Sequence, residues 1–240
     1  MKRRNSLAIL AALALAACNS EKPATPAPSI GAEDDAPLPQ VPVMGQERHI
    51  LAFGDSLFAG YNLNEGESYP AKLELALRAR GINARIVNAG ISGDTSAAAL
   101  QRLAFTLDNQ KQAPELVIVE LGGNDLLRAL PPKETRANIG AILKELKARK
   151  IPGLLMGMRA PPNAGGSFQG QFDAIYPGLA KEYGVPLVPF FLEAIYDKPD
   201  LLLPDHIHPT AHGVEELVAA TSAQVEEALP LAKAAPLPPR

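Results

Sequence analysis

The chain has 240 residues, 47% of them hydrophobic and only 5% aromatic, with no tryptophan and a formal net charge of -3. That content supplies one sizeable core, so a single folded domain is expected. A mildly acidic chain lacks the basic patch that nucleic acid or an anionic membrane surface requires, so small or neutral substrates fit better. Its single cysteine excludes an internal disulfide and every multi-cysteine metal site.

The N-terminus reads as a processing segment. Met1 to Arg4 is basic and Leu7 to Ala17 is a short apolar run, which makes 1–17 an export signal too short to span a membrane by itself. It ends in Leu15-Ala16-Ala17-Cys18, which resembles a bacterial lipobox and implies cleavage before Cys18 and lipidation of that residue. A soluble signal peptide with an incidental cysteine is the alternative. Acyl chains on Cys18 would tether the protein to a membrane, two or more holding far better than one. Asn19 rather than aspartate follows, which by resemblance to enteric sorting favours the outer membrane, facing the periplasm. Residues 18–45 carry prolines at 23, 26, 28, 37, 39 and 42 and no periodic apolar face, as expected of an extended, semi-rigid linker. The folded domain is expected over 46–230, with a flexible Pro/Ala-rich tail over 231–240.

Within the domain, His49 to Gly54 reads as a buried strand, its nearly unbroken apolar run suiting a parallel sheet. Ser68 and Pro70 start a helix to Arg80, with Gly81 as its stop. Ile82 to Ala89 alternates as a second strand at an edge. A helix over 96–110 precedes ELVIVEL, 115–121, the clearest central strand, which runs into Gly122-Gly123-Asn124-Asp125. A helix over 133–150, a strand over 151–158, a loop over 159–170 and a helix over 172–183 follow. Val185 to Phe190 is a short or edge strand, because Pro186 and Pro189 cannot donate to a ladder. A last helix is expected over 210–229. Strands alternating with helices predict a three-layer α/β/α sandwich on a mostly parallel five-stranded sheet. In such folds the working residues lie beyond the C-terminal strand ends, where Asp55-Ser56, Gly90, Asn124-Asp125 and the loop to His208 all fall.

Ser56, just after a strand, is the candidate nucleophile, with a helix-capping serine as the plain alternative. A serine needs a base, and His49, His206, His208 and His212 are the candidates. His49 precedes its strand and sits at the wrong end, and His212 falls inside a helix start. Asp205, three residues before His208 in a turn, can accept from one imidazole nitrogen and leave the other for Ser56, an arrangement less easily made with its neighbour His206. A zinc site from Asp205, His206, His208 and His212, with Asp55 as a distant ligand, is the rival reading, although no His-Glu-x-x-His is present. Ser56 N–H, Gly90 N–H and the Asn124 side chain are the candidate oxyanion donors, with Gly90 as a mere turn residue left open. Asp125 is expected to brace its loop. The first strand–helix junction, GDSLFAG, lacks G-x-G-x-x-G, which argues against a dinucleotide-binding domain.

These residues resemble the SGNH (GDSL) hydrolases, nearest the bacterial thioesterase I / arylesterase / lysophospholipase group. Gly54-Asp55-Ser56-Leu57 matches the first block, Gly90 in NAGISGDT the second, Gly122-Gly123-Asn124-Asp125 the third and Asp205-x-x-His208 the last, in order, over about Ile50 to Leu229. The resemblance implies a flavodoxin-like fold and a serine hydrolase. Ser56, Asp205 and His208 would be its catalytic residues, and Ser56, Gly90 and Asn124 its oxyanion hole. It implies no cofactor and no metal. His206 departs from it, standing where that group commonly has glycine. The expected substrates are aryl esters, thioesters with short to medium acyl chains, and lysophospholipids, taken in a groove flanked by 60–68, 126–133 and 159–170. The mixture of Leu126, Leu127, Leu130, Met158 and Pro161 in those loops suggests that the groove is apolar. An acetyl-carbohydrate or peptidoglycan esterase is the alternative enzyme, and a cell-surface binding module the alternative outside enzymology.

Overall fold

Strand β1, Arg48–Gly54, is buried at every position except the partly exposed His49. It is an interior strand, hydrogen-bonded at one edge to β2 (Ala84–Gly90) and at the other to β3 (Leu116–Glu120), and helices cover its faces. All five residues of β3 are buried as well, as the apolar run LVIV requires of a central parallel strand, and the burial extends to the acidic Glu120 at its end. The computed structural model describes residues 43–231, so the export segment 1–17, Cys18, the linker through residue 42 and the tail from 232 lie outside the described residues.

β4 (Gly153–Met156) and β5 (Leu187–Val188) complete a five-stranded, all-parallel sheet in the order β2-β1-β3-β4-β5. The connections carry eight helices among the described residues. After β1 come the short α1 (Ser56–Ala59) and α2 (Tyr69–Ala79); after β2 comes α3 (Ser96–Asp108); after β3 come α4 (Gly123–Leu127) and α5 (Pro132–Ala148). After β4 come α6 (Gly166–Asp173) and α7 (Ile175–Tyr183), and α8 (Ala211–Ala228) ends the domain. α2 packs with α8, and α5 packs with α3 and α7, the two outer layers of the predicted sandwich. The chain leaves β1 toward β2 and returns past it to β3, so the strand order reverses between β1 and β3. Crevices for ligands open at that point beyond the carboxyl ends of the strands.

Three elements differ from the sequence-based expectation. Strand 185–190 shrinks to two residues because Pro186 and Pro189 flank it. Strand 151–158 is trimmed to Gly153–Met156. The helix expected over 172–183 begins at Gly166 and is broken at Ala174 into α6 and α7. Asp173, the last residue of α6, accepts the Ala160 N–H at 2.8 Å and so fastens the loop after β4. The sequence reading assigned no helix to α1 or α4, which have five residues or fewer.

Candidate active site

β1 stops at Gly54, and Asp55 caps α1 by accepting the Leu57 N–H on Oδ1 at 3.0 Å. Ser56 is therefore the first residue of a helix, one of the positions whose N–H has no partner within the helix. Among the described residues that N–H makes no hydrogen bond.

The second half of the site is a loop that closes on itself. Leu203 N–H donates to His208 O at 2.7 Å and Thr210 N–H to Leu201 O at 2.9 Å. Inside it, Asp205 Oδ1 accepts the N–H groups of Ile207 at 2.9 Å and His208 at 3.0 Å. Its other oxygen meets His208 Nδ1 at 2.7 Å, and His208 Nε2 lies 2.8 Å from Ser56 Oγ. Asp205 thus shapes the loop and fixes the imidazole in one step. With Nδ1–H held by a carboxylate, Nε2 is the acceptor that faces the serine hydroxyl. Burial works to raise the Asp205 carboxyl, but the His208 and Ile207 hydrogen bonds and the His208 charge outweigh it and hold Asp205 down at about 2.

The other histidines lie elsewhere. His49 pairs with Glu47 at 2.9 Å at the start of β1, the opposite sheet edge, and His212 faces Glu215 at 3.7 Å on α8. His206 adopts a left-handed φ of 57° and lines the cavity beside Ser56. Among the described residues no three His, Cys, Asp or Glu side chains converge as a ligand set, so the zinc reading has no gathered donors.

Asn124 sits on α4, and its Nδ2 donates to Asp55 Oδ2 at 3.1 Å. One amide N–H is thereby anchored, which aims the rest of the side chain at the cavity that Asn124 lines with Ser56. Asp125 braces the same corner. It accepts Ser96 N–H at 2.8 Å, Ser96 Oγ–H at 2.5 Å and Thr135 Oγ1–H at 3.1 Å.

Gly90 requires a correction. Its N–H donates to Asn88 Oδ1 at 2.9 Å, and Asn88 Nδ2 in turn donates to Phe58 O at 2.8 Å. That N–H is engaged in holding β2 to α1 and is not free for an oxyanion. The glycine is needed for another reason: a Cβ at this position would lie 2.4 Å from Ala59 N and 2.8 Å from Asp55 O.

A cavity of about 200 Å³ opens beside Ser56 and Asn124, walled by Leu126, Met158, Phe190, Ile195 and Tyr196. Leu127 and Pro161 line it as expected, and Leu130 does not. Sequence reasoning missed the wall from 190–196. It missed Tyr61, whose ring centroid lies 4.4 Å from that of His208, and it missed Glu120. Glu120 carried a readable signal, an acidic residue ending an otherwise apolar strand. Tyr61 carried none, being one aromatic residue in a polar loop.

The sequence blocks at Ser56, Asn124 and Asp205–His208 thus meet in one crevice. The family model for the GDSL-like lipase/acylhydrolase family matches residues 52–215, the span that holds every one of them. The chain belongs to that family. It is 44% identical over 160 residues to the thioesterase 1/protease 1/lysophospholipase L1 of Escherichia coli strain K12, covering 67% of this chain and 74% of that one. With the arylesterase of Vibrio mimicus it shares 40% identity over 160 residues, 67% of this chain and 79% of the relative. Among solved structures it is similar to AlinE4, an SGNH-hydrolase family esterase, at 68% identity with a TM-score of 0.67, covering 78% of this chain and 99% of that one. The sandwich architecture is therefore the SGNH-hydrolase fold, and membership turns the Ser56–His208 contact into the expected centre of an acylhydrolase.

Proposed function

We propose that the protein is a serine esterase that hydrolyses carboxylic esters and thioesters through an acyl-enzyme. The observation that carries this reading is the linked array Asp205–His208–Ser56, with contacts of 2.7 and 2.8 Å, at the mouth of an apolar cavity. As Ser56 Oγ attacks the acyl carbonyl carbon, its proton passes to His208 Nε2, and Asp205 stabilises the imidazolium. The oxyanion accepts from Ser56 N–H and the free Nδ2–H of Asn124. For a third donor the reading turns to Gly93, which has a φ of 86° and an N–H unbonded among the described residues. Its carbonyl accepts from Arg128, just past the helix that carries Asn124. Collapse of the tetrahedral adduct breaks the bond to the leaving alkoxide or thiolate, which takes the proton from His208. Water, deprotonated by the same imidazole, then releases the acid and restores Ser56.

The cavity supports acyl chains over acetyl groups. At ~30 Å³ per water-sized unit it holds six or seven such units, roughly a six- to eight-carbon chain. Each buried methylene contributes about 0.8 kcal/mol, close to a fourfold gain in kcat/KM per carbon until the cavity is full. A p-nitrophenyl ester series tests this. Turnover rising from acetyl toward octanoyl supports the reading, and acetyl as the best substrate favours a carbohydrate or peptidoglycan deacetylase. Fluorophosphonate labelling of the wild type that is lost in Ser56→Ala supports catalysis, whereas an unlabelled wild type favours a binding module. Aryl esters and lysophospholipids join the substrate range through the relatives' names.

The same reading places the enzyme in the cell envelope, lipid-anchored through Cys18 and held off the outer membrane by the proline-rich linker. Its support is the lipobox-like sequence alone. Cys18→Ala should release the protein from the membrane fraction, and continued sedimentation with membranes would refute the anchor.

A further inference from the structure

Glu120 ends β3 and is fully buried directly behind the site, yet the reaction above does not use it. The groups facing it come from three elements. From the β1–α1 junction, the Asp55 N–H donates to Glu120 Oε2 at 3.4 Å, which sets the two acidic residues side by side, and each carboxyl bears on the ionisation of the other. From α7, the Tyr176 hydroxyl gives its proton to Leu121 O at 2.9 Å rather than to Glu120. The carboxyl groups of Asp125 and Asp173 bear on that same tyrosine and add negative charge to the region. From α3, Arg102 reaches Gly54 O at 2.9 Å, but its charge is met by Asp94 at 2.6 Å. Glu120 Oε1 has no hydrogen-bond partner among the described residues.

Two carboxyl groups in contact without a cation cannot both ionise; one keeps a proton. Geometry decides which. Burial pushes the Asp55 carboxyl up, but both of its oxygens have donors that favour the anion, Leu57 N–H at 3.0 Å and Asn124 Nδ2 at 3.1 Å. Glu120 has one long contact and an orphan oxygen. We infer that Glu120 is a protonated positioning residue, whose O–H donates to the Asp55 carboxylate and so holds the Asn124 amide aimed at the oxyanion. Burial first and the Asp55 charge second push the Glu120 carboxyl well above its ordinary value, as this role requires. The inference rests on the serine-esterase reading for its kinetic consequences, but the proton on Glu120 does not.

Glu120→Gln and Glu120→Leu separate the possibilities. An amide donates to Asp55 as a protonated acid does, whereas leucine leaves Asp55 without that donor. Misaiming one oxyanion donor should lower kcat of the leucine variant by about tenfold or more with KM nearly unchanged, and glutamine should recover most of that loss. Loss of kcat at alkaline pH through Glu120 ionisation should be present in the wild type and absent from the glutamine variant. Infrared spectra at neutral pH should show the carbonyl stretch of a protonated carboxylic acid in the wild type, missing from Glu120→Gln. The inference is overturned by a folded glutamine variant as impaired as leucine, or by the absence of that band. The band needs no turnover, so it decides the proton on Glu120 even if ester hydrolysis were absent or the leucine variant did not fold.

Discussion

Gly90→Ala puts the revised role of that glycine to a direct test. A methyl group there lies 2.4 Å from Ala59 N, 2.8 Å from Asp55 O and 2.8 Å from Phe58 C, all backbone atoms of the short segment that carries Ser56. Opening the closest contact just to 3.0 Å requires a shift of about 0.6 Å between β2 and α1. A misplacement near 1 Å at a reacting group costs roughly 10²-fold, so kcat/KM on a p-nitrophenyl ester should fall by about 10- to 100-fold. Overpacking of this kind also costs about 1–3 kcal/mol of stability, visible as a Tm lower by at least about 2 °C. Gly170→Ala is the control: it lies on α6 with nothing within 4 Å of the added carbon. That variant should be as active as wild type and more stable by about 0.5–1 kcal/mol. Alanine keeps the backbone N–H, so a role confined to hydrogen-bond donation predicts little loss at position 90. Activity within twofold of wild type and an unchanged Tm would refute the packing argument.

Thr221 Oγ1–H donates to Leu217 O at 2.6 Å, so the Tyr69 hydroxyl, 2.7 Å away and buried, must be the donor between the two. Tyr69→Phe should cost about 1 kcal/mol, a Tm drop of about 2–4 °C, with kcat unchanged; an unaltered melting curve would show the bond to be worth nothing. Asp205 sits at about 2 when folded, below the ~3.9 of a free aspartate, so its stabilising contribution is complete above about pH 4 and is lost as pH falls toward 2. The Tm gap between wild type and Asp205→Asn should therefore narrow across that window, and a gap constant from pH 5 to 2 would contradict it. His206 holds φ at 57°, which costs a non-glycine residue about 1–2 kcal/mol, while glycine adds roughly 0.5–1 kcal/mol of chain entropy to lose. His206→Gly should consequently be neutral to slightly stabilising, and its effect should fall on KM, because the imidazole lines the cavity. A strongly destabilised variant would mean that the ring makes contacts which outweigh its backbone strain.

The sheet and the dyad were legible because each leaves a local signature. Apolar runs such as LVIV belong only where a strand is covered on both faces, and an aspartate three residues before a histidine closes a turn within its own segment. What stayed hidden depended on approach between distant segments. The sequence shows a glycine at 90 but not that α1 crosses it, so a steric requirement was read as a donor. Tyr61 meets His208 across 147 positions of chain, and the wall from 190–196 is set by where β5 ends. Helices of five residues or fewer, α1 and α4, have too little periodicity to register, although they carry Ser56 and Asn124.

The two halves of the site rest on different supports, and that separates what each can tolerate. Ser56 and Asn124 hang from the ends of β1 and β3 through Asp55, which touches both helices and the buried Glu120. That half is built into the sheet, where interior packing transmits small displacements instead of absorbing them. His208 rides a loop closed by its own backbone and by Asp205, whose side chain is 35% exposed. Solvent can relax such a loop locally. Changes around Asp55, Gly90 and Glu120 should therefore damage activity and stability together, whereas changes at His208 should remove activity from a domain that still melts close to wild type.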